Sequence, residues 1–226
     1  MILSNPHNPA GIAWPVETLR ELAEICARHN VVVISDEIHS DMYMWGKKHV
    51  PFATVSDTAR HISVTFAAPS KTFNIAGVVT SYCVVPDEQL RKRFFGWLHA
   101  SEMDAKGIFP PVATVAAYRH GKEWLEQMLS YVEGNIRFVE DFCRERIPAL
   151  KPMRPDASFL VWLDCRGLGM DHDALNSLFL DKAKLALNDG AMFGPGGDGF
   201  MRMNVGTRRA VLEEALVRLE KALGEL

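Results

Sequence analysis

Hydrophobic and polar positions follow two kinds of pattern in the first 120 residues. Short apolar runs, rich in β-branched side chains, predict strands at 2–4, 31–35, 61–66 and 78–85. Apolar residues at helical spacing predict helices after Pro15, Pro86 and Pro110. The run at 31–35 lacks polar alternation, which is typical of a parallel strand buried on both faces. Strand, helix and strand in this order predict a mostly parallel α/β sheet.

The pattern changes beyond residue 121. One long amphipathic helix is predicted at 122–146, and the remainder mixes strands at 158–163 and 200–205 with helices at 175–184 and 209–223. That mixture is typical of a small α+β domain. We therefore predict a large α/β domain at 1–121, a long interdomain helix at 122–146 and a small α+β domain at 147–226.

Composition narrows the class of protein. Hydrophobic residues make up 48% and charged residues 23%, which indicates a folded chain. The net charge of −3 argues against a nucleic-acid partner, and no apolar run is long enough to cross a membrane. The start of the chain lacks the pattern of a secretion signal, and the four cysteines are widely spaced, without a CxxC pair. We expect a cytoplasmic protein with reduced thiols and no membrane partner.

Asp36 is the first candidate for chemistry. It follows the strand at 31–35, at the edge where open α/β sheets bind ligands. One alternative is a carboxylate that caps the next turn. Another is a metal site that also uses Glu37, His39 and Asp41, although no further His or Cys cluster completes such a ligand set.

Lys71 is the second candidate, in a loop of small and apolar residues after the strand at 61–66. A lysine there must be desolvated or paired, which lowers its pKa and favours Schiff-base chemistry. The alternative is a solvated surface lysine.

Asn8 is the third candidate. It lies in a turn with two Asn-Pro pairs, which could aim its amide into a site or form an ordinary loop.

Arg202 is the fourth candidate. Period-2 alternation over 200–205 puts it on the face opposite Met201 and Met203, where it could clamp a carboxylate or face solvent. The preceding segment, 194–199, matches G-x-G-x-x-G. A strand rather than a helix follows it, so we reject a dinucleotide site.

In chain order, these segments resemble one family. Asn-Pro-His-Asn-Pro-x-Gly from residue 5, Ser-Asp-Glu-Ile-His from 35, Ala-Pro-Ser-Lys-Thr-Phe-Asn from 68 and Arg-x-Asn from 202 resemble pyridoxal-phosphate enzymes of aminotransferase fold type I. Segments 36–41, 48–53 and 187–194 are more narrowly similar to the MalY/PatB-type cystathionine β-lyases. The resemblance corresponds to the later part of a family member. It implies a PLP-transferase fold whose large domain is N-terminally incomplete, followed by a small C-terminal α+β domain.

The resemblance implies a role for each matching residue. Lys71 corresponds to the Schiff-base lysine and general base, and Asp36 to the carboxylate that pairs with the pyridine nitrogen of pyridoxal 5'-phosphate. Asn8 corresponds to the amide at the cofactor's phenolic oxygen, and His39 to the position where aminotransferases place a tyrosine near that oxygen. The remaining implied contacts are Ser70 with the phosphate and Arg202 with the substrate's α-carboxylate.

The resemblance also implies an activity. A β-lyase of this group cleaves cystathionine or related cysteine S-conjugates to a thiol, pyruvate and ammonia, and members are homodimers. Aspartate-type aminotransferases carry a phosphate-binding arginine at the position of Val79, so its absence favours the lyase group. An aminotransferase of the same fold and a fragment without catalytic competence are the alternatives.

Overall fold

The protein is described by a computed structural model that covers residues 1–104 and 107–225. It forms two compact units, the first made of Met1–His7 and Ile12–Met128 and the second of Asn8–Gly11 and Leu129–Leu226. The division falls inside the long helix Lys122–Arg146, whereas the sequence analysis treated this helix as a segment of its own.

The first unit contains a four-stranded sheet. Its strands are β1 (Ile2–Ser4), β2 (Val33–Asp36), β3 (Ser63–Ala67) and β4 (Tyr82–Val84). Its helices are α1 (Val16–Arg28), α2 (Asp57–Ile62), α3 (Pro69–Thr72), α4 (Glu88–Ala100), α5 (Phe109–His120) and the start of α6 (Lys122–Arg146). The strand order is β1-β2-β3-β4, with β1, β2 and β3 parallel and β4 antiparallel. The predicted mostly parallel sheet is confirmed.

Two predicted strands are shorter than expected. His61 and Ile62 belong to the end of α2 rather than to β3. The side chain of Ser56 caps that helix by accepting a hydrogen bond from the Ala59 amide at 3.1 Å, a start signal that the sequence analysis missed. The run at 78–85 forms a strand only over Tyr82–Val84.

The first sheet is covered unequally on its two faces. Val33 is 0% exposed and lies in an apolar core with Leu19 and Ala23 of α1. Ile34, on the opposite face, is 38% exposed, and Ile2 on that face of β1 is 75% exposed. The predicted burial of β2 on both faces is therefore wrong for the described chain. A β-branched run favours a strand, but the elements packed on that strand decide how many of its faces are buried.

The second unit contains a fully antiparallel sheet. Its strands are β5 (Lys151–Met153), β6 (Leu160–Asp164), β7 (Asn188–Asp189) and β8 (Phe200–Asn204), in the order β5-β6-β8-β7. Its helices are most of α6, then α7 (His172–Ser177), which continues into a π-helical turn at Leu178–Lys182, and α8 (Arg209–Gly224). The predicted α+β region is confirmed. The short strands β5 and β7 were not predicted, because two or three residues carry no periodic signal.

All four cysteines are thiols in the structure. Cys143 and Cys165 lie in the core of the second unit, where burial raises the pKa of each thiol to about 12. Cys26 is buried in the first unit and Cys83 is half-buried there. Over residues 1–104 and 107–225, no helix combines the length and apolar character needed to cross a membrane.

Candidate active site

The carboxyl ends of the three parallel strands meet at one edge of the first sheet. The Asn5 amide, just after β1, donates to the Asp36 carbonyl at 2.9 Å, and the Glu37 amide, just after β2, donates to the Phe66 carbonyl at 2.8 Å. Helix α3, which carries Lys71, begins two residues after the end of β3. This edge is where open α/β sheets bind ligands. Asp36 and Lys71 thus follow neighbouring strands to the same edge.

Asp36 is the last residue of β2, and its side chain is exposed. Its Oδ1 accepts a hydrogen bond from the Ile38 amide at 3.2 Å, so Asp36 caps the next turn, as one of the sequence interpretations predicted. That single contact leaves acceptor capacity on the carboxylate, because an ionised carboxylate offers about four lone-pair sites. Capping and ligand binding are therefore compatible at this position.

Lys71 is exposed, whereas its neighbours Pro69 and Thr72 in α3 are buried. The predicted desolvation of Lys71 is therefore wrong for the chain taken alone. Each helical residue is rotated by about 100° from the one before it, so small and apolar neighbours can point inward while the lysine points outward. Ser70 is half-buried in the same turn.

Glu37 and His39 lie in the turn after β2 and are buried, at 2% and 5% exposure. Glu37 accepts hydrogen bonds from the Ser35 hydroxyl at 2.8 Å and the Phe52 amide at 2.9 Å, and its Oε2 lies 2.5 Å from His49 Nε2. Glu37 therefore belongs to the interior of the turn rather than to the open edge. In the part of the chain that the structure describes, no three His, Cys, Asp or Glu residues gather as metal ligands would.

Arg202 is held at three points in the second unit. Its Nη1 donates to Asn8 Oδ1 at 2.9 Å, and its Nη2 donates to Asn188 Oδ1 at 2.7 Å. Its guanidinium carbon lies 4.8 Å from the centre of the Phe193 ring, within the range of a cation–π contact. Met201 is buried on the other face of β8, as the alternation predicts.

These contacts orient the Arg202 guanidinium without neutralising its charge, because both acceptors are neutral amide oxygens. The side chain is half-buried, and its Nε is buried without a hydrogen-bond partner. Burial lowers the pKa of Arg202 from its usual value, but arginine remains protonated in proteins. An oriented, partly desolvated guanidinium is suited to a carboxylate, which it can bind through two parallel hydrogen bonds.

Gly11 explains why Asn8 reaches Arg202. It adopts a φ of +66°, and its carbonyl accepts from the amides of Asp156 at 2.9 Å and Ala157 at 3.2 Å. A Cβ on Gly11 would lie 2.3 Å from Pro155 Cβ, so only glycine allows this close approach. The loop Asn8–Gly11 is thereby fixed within the second unit.

The six predicted site residues fall into two groups. Asp36, His39, Ser70 and Lys71 belong to the first unit, whereas Asn8 and Arg202 form a direct contact in the second. The side-chain roles of Asn188 and Phe193 were not predicted, although both residues lie in the segment 187–194 that carried the resemblance. Asn188 is the residue of β7 that pairs with Arg202 of β8, and such a pairing leaves no signal in the linear sequence.

Comparison with known proteins decides the family. The profile of the family described as "Aminotransferase class I and II" matches residues 1–219. The chain belongs to this family. It is 45% identical to cystathionine beta-lyase PatB of Bacillus subtilis over 98% of this chain, and 33% identical to protein MalY of Escherichia coli over 99%. The resemblance to the MalY/PatB group is thereby confirmed.

A solved structure agrees with this assignment. Cystalysin from Treponema denticola, whose crystal structure contains a pyridoxal 5'-phosphate cofactor, superposes with a TM-score of 0.95 at 33% identity over 99% of this chain. The chain spans 57% of the length of each of these three proteins.

Proposed function

We propose that this chain carries the lysine and the carboxylate-binding arginine of a pyridoxal-phosphate-dependent carbon–sulfur β-lyase. Its substrates are cystathionine or related cysteine S-conjugates, and its products are a thiol, pyruvate and ammonia. The position of Asp36 and Lys71 at one edge of the sheet, after adjacent parallel strands, carries the proposal. The 45% identity with a cystathionine β-lyase supports a lyase rather than an aminotransferase.

The side chains present fit pyridoxal phosphate by their chemistry. Asp36 would hold the pyridine nitrogen, because a nearby carboxylate favours its protonated form. Lys71 offers the primary amine that the cofactor's aldehyde requires, and Ser70 a hydroxyl for the phosphate. On the resemblance alone, Asn8 and His39 would contact the phenolic oxygen. When bound, the cofactor supplies the electron sink for the pair released at the substrate's Cα.

The chain's own residues then have distinct tasks. Arg202 binds the α-carboxylate of the amino acid through its planar fork. The Lys71 amine accepts the Cα proton as general base. The Cβ–S bond can then break, with the bonding pair leaving on sulfur, which takes up a proton to become the thiol. Hydrolysis of the remaining three-carbon fragment yields pyruvate and ammonia.

The proposal includes a homodimer in the cytoplasm. Helix α5 exposes Phe109 at 81%, Val112 at 66% and Val115 at 47%, which suits burial against a second subunit. The thiol state of all four cysteines suits a reducing compartment.

The test uses the whole chain, pyridoxal phosphate and borohydride. We expect mass spectrometry to find a reduced cofactor adduct on Lys71, and an enzyme-coupled assay to detect pyruvate from cystathionine. Lys71→Ala should lose both signals. Lys92→Ala is the matched control, because Lys92 is an exposed lysine of α4 that pairs with Glu88 at 2.6 Å.

The same assay separates the alternatives. An amino-group acceptor converted to an amino acid, without release of thiol, would identify an aminotransferase instead. An adduct on Lys71 without turnover of either kind would identify a cofactor-binding chain that lacks catalytic competence. The absence of any adduct on Lys71 at saturating cofactor would contradict the proposal altogether.

A further inference from the structure

Helix α3 is too short to fix the direction of Lys71 by itself. It has only four residues. Two backbone hydrogen bonds close its turn: the Phe73 amide donates to the Pro69 carbonyl at 2.9 Å, and the Ile75 amide donates to the Ser70 carbonyl at 3.0 Å. An isolated single turn is unstable, because nucleation fixes several dihedral angles for each hydrogen bond gained. The orientation of Lys71 must therefore depend on tertiary contacts.

The residue next to Lys71 makes such a contact. Thr72 is 0% exposed, and its Oγ1 donates to Asp41 Oδ2 at 3.0 Å. Asp41 lies shortly after Asp36, beyond the turn that ends β2. Asp41 thus ties the segment that carries the proposed cofactor carboxylate to the helix that carries the proposed reactive amine.

A second donor fixes Asp41 itself. The Tyr118 hydroxyl, from α5, donates to the same Oδ2 at 3.1 Å, and the Tyr82 hydroxyl lies 3.2 Å from Tyr118. One carboxylate oxygen can accept both bonds, because it has two lone pairs. Burial, the hydrogen bond with Tyr82 and the charge of Asp41 raise the pKa of Tyr118 well above its usual value, so it remains a donor. The Phe73 ring also packs edge-on against Tyr118, with centroids 5.3 Å apart.

We propose that Asp41 is a positioning residue, whose carboxylate holds Thr72 and Tyr118 together and thereby fixes the direction in which α3 presents Lys71. The inference rests on the proposed function in taking Lys71 as the reactive amine. Asp41 acts through Thr72 and not on the substrate.

The neighbouring Glu37 distinguishes positioning from general stabilisation. Glu37 holds the same turn through Ser35, Phe52 and His49, in contacts that do not involve α3. If Asp41 served only the stability of the turn, its loss would resemble the loss of a Glu37 contact. If it positions Lys71, its loss acts locally on α3.

The variants weaken or remove the hydrogen bonds of the Asp41 carboxylate, with one variant that keeps them. Asp41→Asn replaces the charged acceptor with a neutral amide oxygen, which accepts hydrogen bonds more weakly. Thr72→Val replaces the hydroxyl with a methyl group, and Thr72→Ser keeps the hydroxyl. Tyr118→Phe acts at a partly exposed position, so it tests the same carboxylate with little risk to folding. Thr114→Val is the matched control, because the Thr114 hydroxyl donates to the Pro110 carbonyl at 2.8 Å within α5.

The first measurement is hydrogen–deuterium exchange over residues 69–75 in the chain without added cofactor. We expect exchange to accelerate about fivefold in Thr72→Val, as the loss of one hydrogen bond implies, and about as much in Asp41→Asn, where two charge-assisted bonds are weakened. The acceleration should be smaller in Tyr118→Phe. The exchange rate over β2 should equal that of the parent, and so should the midpoint of unfolding in urea. Thr72→Ser and Thr114→Val should match the parent throughout.

The second measurement is the rate at which pyridoxal phosphate becomes attached to Lys71, trapped with borohydride. Misplacement of the amine should slow attachment about tenfold in Asp41→Asn and Thr72→Val, with recovery in Thr72→Ser. If the parent chain forms no adduct, the proposed function fails while the exchange measurement still decides the role of Asp41. Parent-like exchange over 69–75 in Asp41→Asn, Thr72→Val and Tyr118→Phe, or an equal effect in Thr114→Val, would overturn the inference.

Discussion

The two sheets have similarly apolar central strands but differ in how those strands are covered. In β2 of the first unit, Val33 is 0% exposed while Ile34 is 38% exposed. In β6 of the second unit, Trp162 and Leu163 point to opposite faces and both are buried, at 8% and 1% exposure. A run of β-branched and aliphatic residues therefore predicts a strand, whereas the number of buried faces depends on what packs against that strand.

The two charged residues proposed to act in the reaction, Arg202 and Lys71, differ in what orients their side chains. Arg202 lies within β8, where strand alternation and the pairing with Asn188 determine which way it points. Lys71 lies beyond the end of β3 in a single helical turn, and a hydrogen bond to the side chain of Asp41 anchors its neighbour Thr72. A residue inside a ladder is oriented by the backbone, whereas a residue after a strand depends on contacts made by its neighbours.

The largest expected difference is in thiol reactivity, between half-buried Cys83 of the first unit and buried Cys143 and Cys165 of the second. A pKa of about 12 instead of 9.0 lowers the thiolate fraction of Cys143 and Cys165 at pH 8 by about a thousandfold, and the thiolate is the nucleophile. We expect iodoacetamide to label half-buried Cys83 in the folded chain, and the two second-unit cysteines only after unfolding in urea. Peptide mapping measures each site, and Cys83→Ser should remove the fast-reacting site. Equal labelling rates for Cys83 and Cys143 in the folded chain would contradict the difference in coverage.

Truncations on the two central strands should differ next most. Leu163→Ala removes a fully buried side chain and is expected to lower the free energy of unfolding by about 3 kcal/mol. Ile34→Ala deletes the same number of carbon atoms at a partly exposed position and should cost about 1 kcal/mol. Urea unfolding followed by circular dichroism measures both. Val33→Ala, on the buried face of β2, is the control within the first unit, and a loss for Ile34→Ala as large as that for Leu163→Ala would refute unequal coverage.

The smallest expected difference concerns two partly buried basic side chains, His7 and Arg202. Burial lowers the pKa of His7 in the first unit and of Arg202 in the second, but histidine can lose its proton near neutral pH and arginine cannot. Because the folded pKa of His7 lies below 6.5, the unfolded chain binds more protons between those two values. The stability associated with neutral His7 is therefore complete above about pH 6.5 and declines as pH falls towards the folded pKa.

His7→Gln should flatten this part of the pH dependence of stability. Unfolding midpoints in urea between pH 5 and 7.5 would measure it. The matched variant His29→Gln changes an exposed histidine of the same unit and should retain the parent's slope. A parent-like slope in His7→Gln would show that burial of the His7 ring, whose Nδ1 has no hydrogen-bond partner, does not contribute to the pH dependence.

Much of the candidate site could be predicted because its signals are local. Asp36 is the last residue of a strand that its apolar run identifies, and Arg202 alternates with Met201 and Met203. The exposure of Lys71 could not be predicted in this way, since its small and apolar neighbours do not reveal which side of the turn faces the sheet. The caps at Ser56 and Asp87 are also local signals, each a side chain that accepts from an amide three residues on.

The sequence by itself determined the periodic elements, the mostly parallel character of the first sheet and the residue types available for chemistry. Periodicity and turn residues are signals carried by a few neighbouring positions in the sequence, and such local signals are sufficient to predict these features. The tertiary structure alone decided that Asn8 meets Arg202 across 194 positions of sequence, that Asp41 holds Thr72, and that β2 is covered on one face. These outcomes depend on contacts between segments far apart in the chain, whose geometry arises only when the segments pack together.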